Sequence, residues 1–172
     1  MRRYSCGRFG HRVGFLTAAA AVLLLMLFPG PAFATPPAND NRAAPTPIAA
    51  FPATVEGTTV EATVERLDPQ VSQCGRVEST VWYRIDLAPD GTVVLDLSGA
   101  GFAPVLRVYN IGRSAIDELV CSSAKTAGTA TVGFETTRGS SYLVLVGKKS
   151  GTADGAFTLK AALFLPQLLR FA

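Results

Sequence analysis

Among 172 residues the chain has one histidine, one tryptophan, two methionines and three cysteines, and only 17% of its residues are charged. The histidine, His11, falls within the first 34 residues, so nothing beyond them offers an imidazole as general base or metal ligand. Acids are missing from that same stretch, which instead holds Arg2, Arg3, Arg8 and Arg12. Of 16 Lys and Arg, 12 therefore remain beyond residue 34 against 13 Asp and Glu, a formal net charge of −1. The apparent positive charge belongs to the leader, and the body lacks the basic surface that nucleic acid requires. No helical periodicity of useful length and no internal repeat are found.

The first 34 residues read as a signal peptide. Arg2 to Arg12 form a positive region, Leu16 to Phe28 an apolar one, and Ala32-Phe33-Ala34 a cleavage site of the A-x-A kind. The competing reading is a membrane anchor, but this apolar stretch falls short of the roughly 20 residues a bilayer requires. No later segment reaches about 18 apolar residues, so a secreted, extracellular body without a membrane span is expected. Near the end, Leu163 to Leu169 contain the Leu-Pro of a wall-sorting signal but no following threonine, glycine or charged tail. They read as a last strand and its end.

Cys6 departs with the leader, which leaves the even pair Cys74 and Cys121. In an oxidising compartment one disulfide between them is the economical inference, worth about 4 kcal/mol on a chain-entropy argument. Two buried thiols are the alternative. Without histidine, two cysteines make no ordinary zinc site.

Residues 35–52 are rich in proline and alanine, which disfavours helix and strand alike, and read as a linker leading into the fold. Beyond them turn signals recur: Asp68-Pro69, Pro89-Asp90-Gly91, Ser98 to Gly101, Asn110 to Gly112, Arg138-Gly139-Ser140 and Ser150-Gly151. Between these, apolar residues alternate with period two: Val60, Ala62, Val64; Val81, Tyr83, Ile85, Leu87; Val93, Leu95, Leu97; Val105, Arg107, Tyr109; Val132, Phe134; Tyr142, Val144, Val146; and Phe157, Leu159, Ala161. Apolar Val94, Leu143 and Leu145 between them mark central strands with both faces partly covered. The pattern predicts an all-β chain, an antiparallel β-sandwich of jelly-roll type over 53–165 with a tail at 166–172, and a monomer.

Several strings in order resemble one family. They are Asn39-Asp40-Asn41, Cys74-Gly75, Ser79 to Ile85, Pro89 to Val93, Gly101 to Tyr109, Leu119-Val120-Cys121, Gly139 to Gly147 and Gly155 to Leu159. Together they are similar to the bacterial pre-peptidase C-terminal (PPC) domain over residues 38 to 162. The resemblance implies a secreted jelly-roll module, usually appended to extracellular proteases and without catalysis of its own. Departures are present too: Ser122-Ser123-Ala124 follows the second cysteine where the family often has Asn-Asp-Asp, and Ala103-Pro104 stand where it often has Asp-Thr. The acidic loops that hold calcium are therefore depleted. No peptidase precedes the module, so the expected role is exerted on a separate extracellular protein, polysaccharide or cell-wall surface.

Ser122-Ser123-Ala124-Lys125 matches a Ser-x-x-Lys nucleophile and base, the basis of a rival reading as a secreted hydrolase. Its setting among turn residues, without the accompanying Ser-Asp-Asn or Lys-Thr-Gly, argues against it. The residues thus favour no catalysis; a structural envelope component is the third class. Asn39 and Asp40 are candidate oxygen ligands for Ca²⁺, which takes roughly six to eight oxygens, or alternatively Asx groups that turn the chain. Lys148-Lys149 and Arg138 read as solvated loop charges. Trp82 and Arg84 alternate out of phase with Val81, Tyr83 and Ile85, and form the candidate binding patch: an indole platform beside a cation. The alternative is an indole covered by a neighbouring loop. N-terminal sequencing of protein recovered from culture medium is expected to begin at Thr35; an intact leader in that fraction refutes the cleavage site.

Overall fold

The computed structural model describes residues 35–70, 72–112 and 116–166. The expected signal peptide and the tail from 167 onward lie outside the described residues. Among these residues nine strands run in chain order: β1 (Thr46–Pro47), β2 (Ala53–Thr58), β3 (Glu78–Ile85), β4 (Gly91–Ala100), β5 (Pro104–Ile111), β6 (Ile116–Ser123), β7 (Gly128–Thr136), β8 (Tyr142–Lys148) and β9 (Ala156–Phe164). They form two sheets, ordered β1-β3-β8-β5-β6 and β2-β9-β4-β7, in which every pairing is antiparallel except the short one between β1 and β3. The chain is all-β, a sandwich.

The period-two residues make most of its centre, but on β5 the phase is reversed: Val105, Arg107 and Tyr109 face outward, and Leu106 and Val108 face the core. Val81, Tyr83 and Ile85, Leu106 and Val108, and Val144 and Val146 of the five-stranded sheet share one apolar core with Val93, Leu95 and Leu97, Val132 and Phe134, and Phe157 and Leu159 of the other. Each fully buried aliphatic or aromatic side chain contributes about 1.5–3 kcal/mol. Phe157 stands edge-on to both Tyr83 and Phe102, which joins the sheets at one end.

Two expected runs differ. Val60, Ala62 and Val64 are not a strand: the chain turns at Glu61, whose φ is 59°, and Ala62 N donates to Thr59 O. The strand lies earlier, at β2. Likewise Leu87 lies past the end of β3, with φ 49° and its side chain 77% exposed. Alternation alone does not see a left-handed residue.

The segment read as a linker also belongs to the fold. Ile48 is buried in the core, β1 pairs with β3, and the main chain of Asn39 accepts from Trp82 N at 2.8 Å. Proline is compatible with this because an edge strand uses its donors on one side only.

A second apolar cluster lies on the outer face of the five-stranded sheet: Trp82, Val105, Tyr109, Leu143 and Leu145, with Val77 above them. Its cover comes from the segment between β2 and β3, residues 59–70 and 72–77, held from three directions. Cys74 is bonded to Cys121 on β6. Arg107 on β5, with no exposed surface, donates to the carbonyls of Pro69, at 2.9 Å, and Gly75. Thr80 N donates to Thr63 O at 2.9 Å, and its hydroxyl donates to the buried carboxylate of Asp68 at 2.8 Å.

A β-bulge makes this clamp possible. Val108 pairs with Val120 but Tyr109 with Glu118, so Leu119 is the extra residue. Without it Glu118 and Cys121 would project to opposite faces; with it both face the cover, Glu118 Oε2 lying 3.9 Å from Arg107 Nε. Arg107→Ala removes the cover's central donor and leaves two carbonyls and a carboxylate facing apolar side chains. Urea unfolding is expected to give a loss of about 3 kcal/mol relative to the wild type; a loss within experimental error refutes the clamp.

Candidate functional site

Trp82 and Arg84 share the outer face of β3, as the alternation requires, but they do not form a surface patch. Trp82 has no exposed surface. Residues 39–42 lie over it: Asn39 Nδ2 donates to Trp82 O at 2.9 Å, and the Arg42 guanidinium stands 6.0 Å from the indole centroid. The candidate patch is therefore corrected: the indole is cluster, not platform, because a large apolar ring beside Val105 and Leu145 gains more from cover than from water. Arg84 remains exposed, with Nε 2.6 Å from Asp86 Oδ1, to which Ser141 Oγ also donates. Such a solvent-exposed pair is worth about 1 kcal/mol at most.

The other candidates are placed as follows. Asp40 accepts from Thr63 N at 2.6 Å and from Thr63 Oγ1 at 2.8 Å, while Asn41 Oδ1 accepts from Ala43 N. Asn39 and Asp40 thus spend their side chains turning and pinning the N-terminal segment. Among the described residues no three His, Cys, Asp or Glu side chains converge as a metal site. Ser122 lies on β6 opposite Leu106, not in a turn, and Lys125 follows in the bend after the strand. Ser-x-x-Lys brings its two groups together on a helix, one turn apart; here the strand ends at Ser123 and Lys125 lies beyond it, so no helical turn aligns them. Lys148 is likewise not a solvated loop charge: it ends β8, buried, and its Nζ reaches Thr152 O at 2.8 Å and Glu78 Oε2 at 3.3 Å. The Ser150 hydroxyl and then Lys148 hold the Glu78 carboxyl below the usual carboxylate range.

On the flank where β1 and β2 are the edges of their sheets, an open depression of about 330 Å³ is lined by Pro37, Asn39, Thr46, Val55, Gly57 and Tyr83, with Glu56 and Thr58 completing the β2 side. Three segments far apart in sequence build it. Gly57 is required there, since a Cβ would meet the Tyr83 hydroxyl and the Phe157 ring. Burial pushes the Tyr83 hydroxyl up to about 12, opposed by a hydrogen bond from Asn39 and aided by the negative charge of Glu56. A second depression, of about 480 Å³, lies on the cover and is lined by Gln70, Ser72, Gly75 and Arg76. Apart from Asn39, none of the residues lining either depression was a sequence candidate. Tyr83 read as core and Val55 fell in no expected strand, and only the pairing of the sheets puts them beside an opening.

No protein-family model and no curated protein sequence matches the chain. Solved structures are similar at low identity. The pre-peptidase C-terminal domain of collagenase from Bacillus anthracis is 14% identical over 67% of this chain and 92% of that one, with a TM-score of 0.46. It is a domain of the family that the sequence strings resemble. The Yersinia pseudotuberculosis-derived mitogen is 15% identical over 66% of this chain and 88% of that one, with a TM-score of 0.44. PliG of Aeromonas hydrophila, a periplasmic lysozyme inhibitor of g-type lysozyme, is 11% identical over 69% of this chain and 96% of its own, with a TM-score of 0.42.

The raised Tyr83 hydroxyl carries a pH signature. The unfolded chain loses this proton near pH 10 and the folded one near pH 12, so the neutral form's contribution is intact below pH 10 and lost as pH rises through 12. Urea midpoints measured from pH 9 to 12 are expected to fall across that window, and less steeply in Tyr83→Phe. Equal slopes in the two proteins refute the assignment.

Proposed function

We propose that the chain is a secreted, non-catalytic binding or accessory module that acts on a separate extracellular protein, polysaccharide or cell-wall surface. The observation that carries this reading is the flank depression: an opening set into a frame whose opposite sheet is clamped by the Cys74–Cys121 disulfide and Arg107. Its lining mixes an apolar floor, Val55 and Pro37, with amide, hydroxyl and carboxylate groups from Asn39, Tyr83 and Glu56. That combination suits orientation of a bound group rather than bond breaking, since no nucleophile there has a base beside it. Secretion is supported by the leader and by the disulfide, which persists in oxidising compartments. Calcium is not needed for this reading; binding it through Asp40 would compete with both hydrogen bonds from Thr63.

The test is retention. The protein purified from culture medium is immobilised and exposed to culture supernatant, insoluble cell wall, polysaccharide and collagen, with and without calcium. Saturable capture of one of these, lost in a Thr46→Trp variant that fills the depression from its β1 side, is the expected result. Hydrolysis in a panel of peptidase, esterase and glycosidase substrates that disappears with Ser122→Ala would replace it with the hydrolase reading.

A further inference from the structure

We infer that the free edge of β2 takes up an extended segment of another protein by main-chain hydrogen bonding, with a basic side chain of that segment opposite Glu56. This rests on the binding-module reading and names the partner's chemistry.

The edge is defined by the register. Thr59 N donates to Gly155 O at 2.9 Å, and the β2–β9 pairing continues through Gly57↔Phe157, Val55↔Leu159 and Ala53↔Ala161. Hydrogen-bonded and non-bonded pairs alternate in an antiparallel ladder. Ala53, Val55 and Gly57 therefore turn their N–H and C=O toward β9, while those of Thr54, Glu56 and Thr58 point off the sheet. Among the described residues no main-chain hydrogen bond ends on these outward groups. The strand also lacks the features that guard an edge: Ala53–Thr58 contains no lysine, no proline and no bulge. Facing it, β1 is only two residues long, so the other sheet does not close the flank.

A strand added here has both its side-chain rows accommodated. Residues opposite Val55 and Gly57 point inward, over the depression floored by Val55 and Tyr83, and suit apolar side chains. Residues opposite Thr54, Glu56 and Thr58 lie on the outer face of the four-stranded sheet. Glu56 is exposed there, its carboxylate engaged among the described residues by the Thr158 hydroxyl at 2.9 and 3.1 Å, and it is the one charge of β2. An opposite charge across the pair is stabilising and a like charge destabilising. That decides the occupant. A second copy of this chain, in the antiparallel register that uses all three outward residues, sets Glu56 against its own counterpart. A lysine or arginine in an alternating apolar and basic segment sets a cation there instead.

The probe is a fluorescein-labelled peptide, Thr-Val-Lys-Val-Lys-Val-Thr, and its counterpart with glutamate for lysine, titrated against the full protein purified from culture medium. The lysine peptide is expected to bind saturably and to protect the amides of Thr54, Glu56 and Thr58 from hydrogen exchange. The glutamate peptide is expected to bind about tenfold more weakly, and Glu56→Lys to reverse the preference. Thr54→Pro removes an outward donor without touching the β9 ladder and is expected to abolish binding. Should that variant fail to fold, the exposed Glu56→Lys substitution carries the test. Absence of lysine-peptide binding, binding without amide protection, or equal affinity in wild type and Glu56→Lys overturns the inference. A partner captured in the retention experiment and unaffected by Glu56→Lys and Thr54→Pro overturns it too, yet leaves the binding-module reading standing.

Discussion

The structure depends on how residues 59–70 and 72–77 are fastened to the outer face of the five-stranded sheet. A sandwich buries one face of each sheet, and the other is ordinarily polar. Here Trp82, Val105, Tyr109, Leu143 and Leu145 make it apolar, so it must be covered. The cover has no regular structure of its own, and its main chain needs partners. Arg107 supplies two of its hydrogen bonds from within the apolar cluster, and the Cys74–Cys121 bond keeps the segment close while they form. The arrangement is under polar tension: Asp68 Oδ1 and Trp82 Nε1 are buried without a hydrogen-bond partner among the described residues, and Arg107 Nε meets Glu118 Oε2 only as an ion pair at 3.9 Å. Each such group costs about 1–3 kcal/mol. A covalent tie across 47 residues is the kind of constraint that offsets this, because it narrows the unfolded ensemble.

The clamp also sorts the surface into closed and open sides. With the outer face of one sheet occupied by its own chain, Trp82 is withdrawn from any partner, although it is the residue whose chemistry most suggests contact. The opposite sheet presents carboxylates paired with threonines across strands: Glu135 with Thr92, Asp96 with Thr131, and Glu56 with Thr158. Glu135 and Glu56 stand on the two edge strands of that sheet, β7 and β2, and Asp96 on the interior β4. Of the three, Glu56 is the one beside the depression that Gly57 keeps open. Packing of the core and availability for binding are thus linked through β2: the glycine that lets Tyr83 and Phe157 meet is also the one that leaves room beside them.

How legible this was in the sequence varied with the kind of question. Alternation located β3, β4, β5, β7, β8 and β9, because a strand with one face in a shared core must repeat every second residue. It failed at Val60 to Val64, where the residues alternate but Glu61 adopts a positive φ, and it did not mark β6, whose pattern the bulge at Leu119 interrupts. Proline content made 35–52 read as a linker, whereas a buried isoleucine and an asparagine paired with Trp82 bind it to the fold. Serine and lysine three residues apart carried a helical motif to the end of a strand, where no helical turn aligns them.

What the sequence determined by itself is what depends on composition, parity and local period: an all-β chain, two cysteines left to pair, a body without imidazole, and the core-facing side of β3, β4, β7, β8 and β9. Tertiary structure decided which apolar side faces the other sheet and which is roofed by the chain's own loop. It turned Arg107, which alternates in the sequence with Val105 and Tyr109, into the anchor of that roof, and brought Pro37, Thr46, Val55 and Tyr83 to one opening. Those outcomes rest on pairings between segments tens of residues apart. A local pattern fixes the face a side chain points to, but not what stands opposite it.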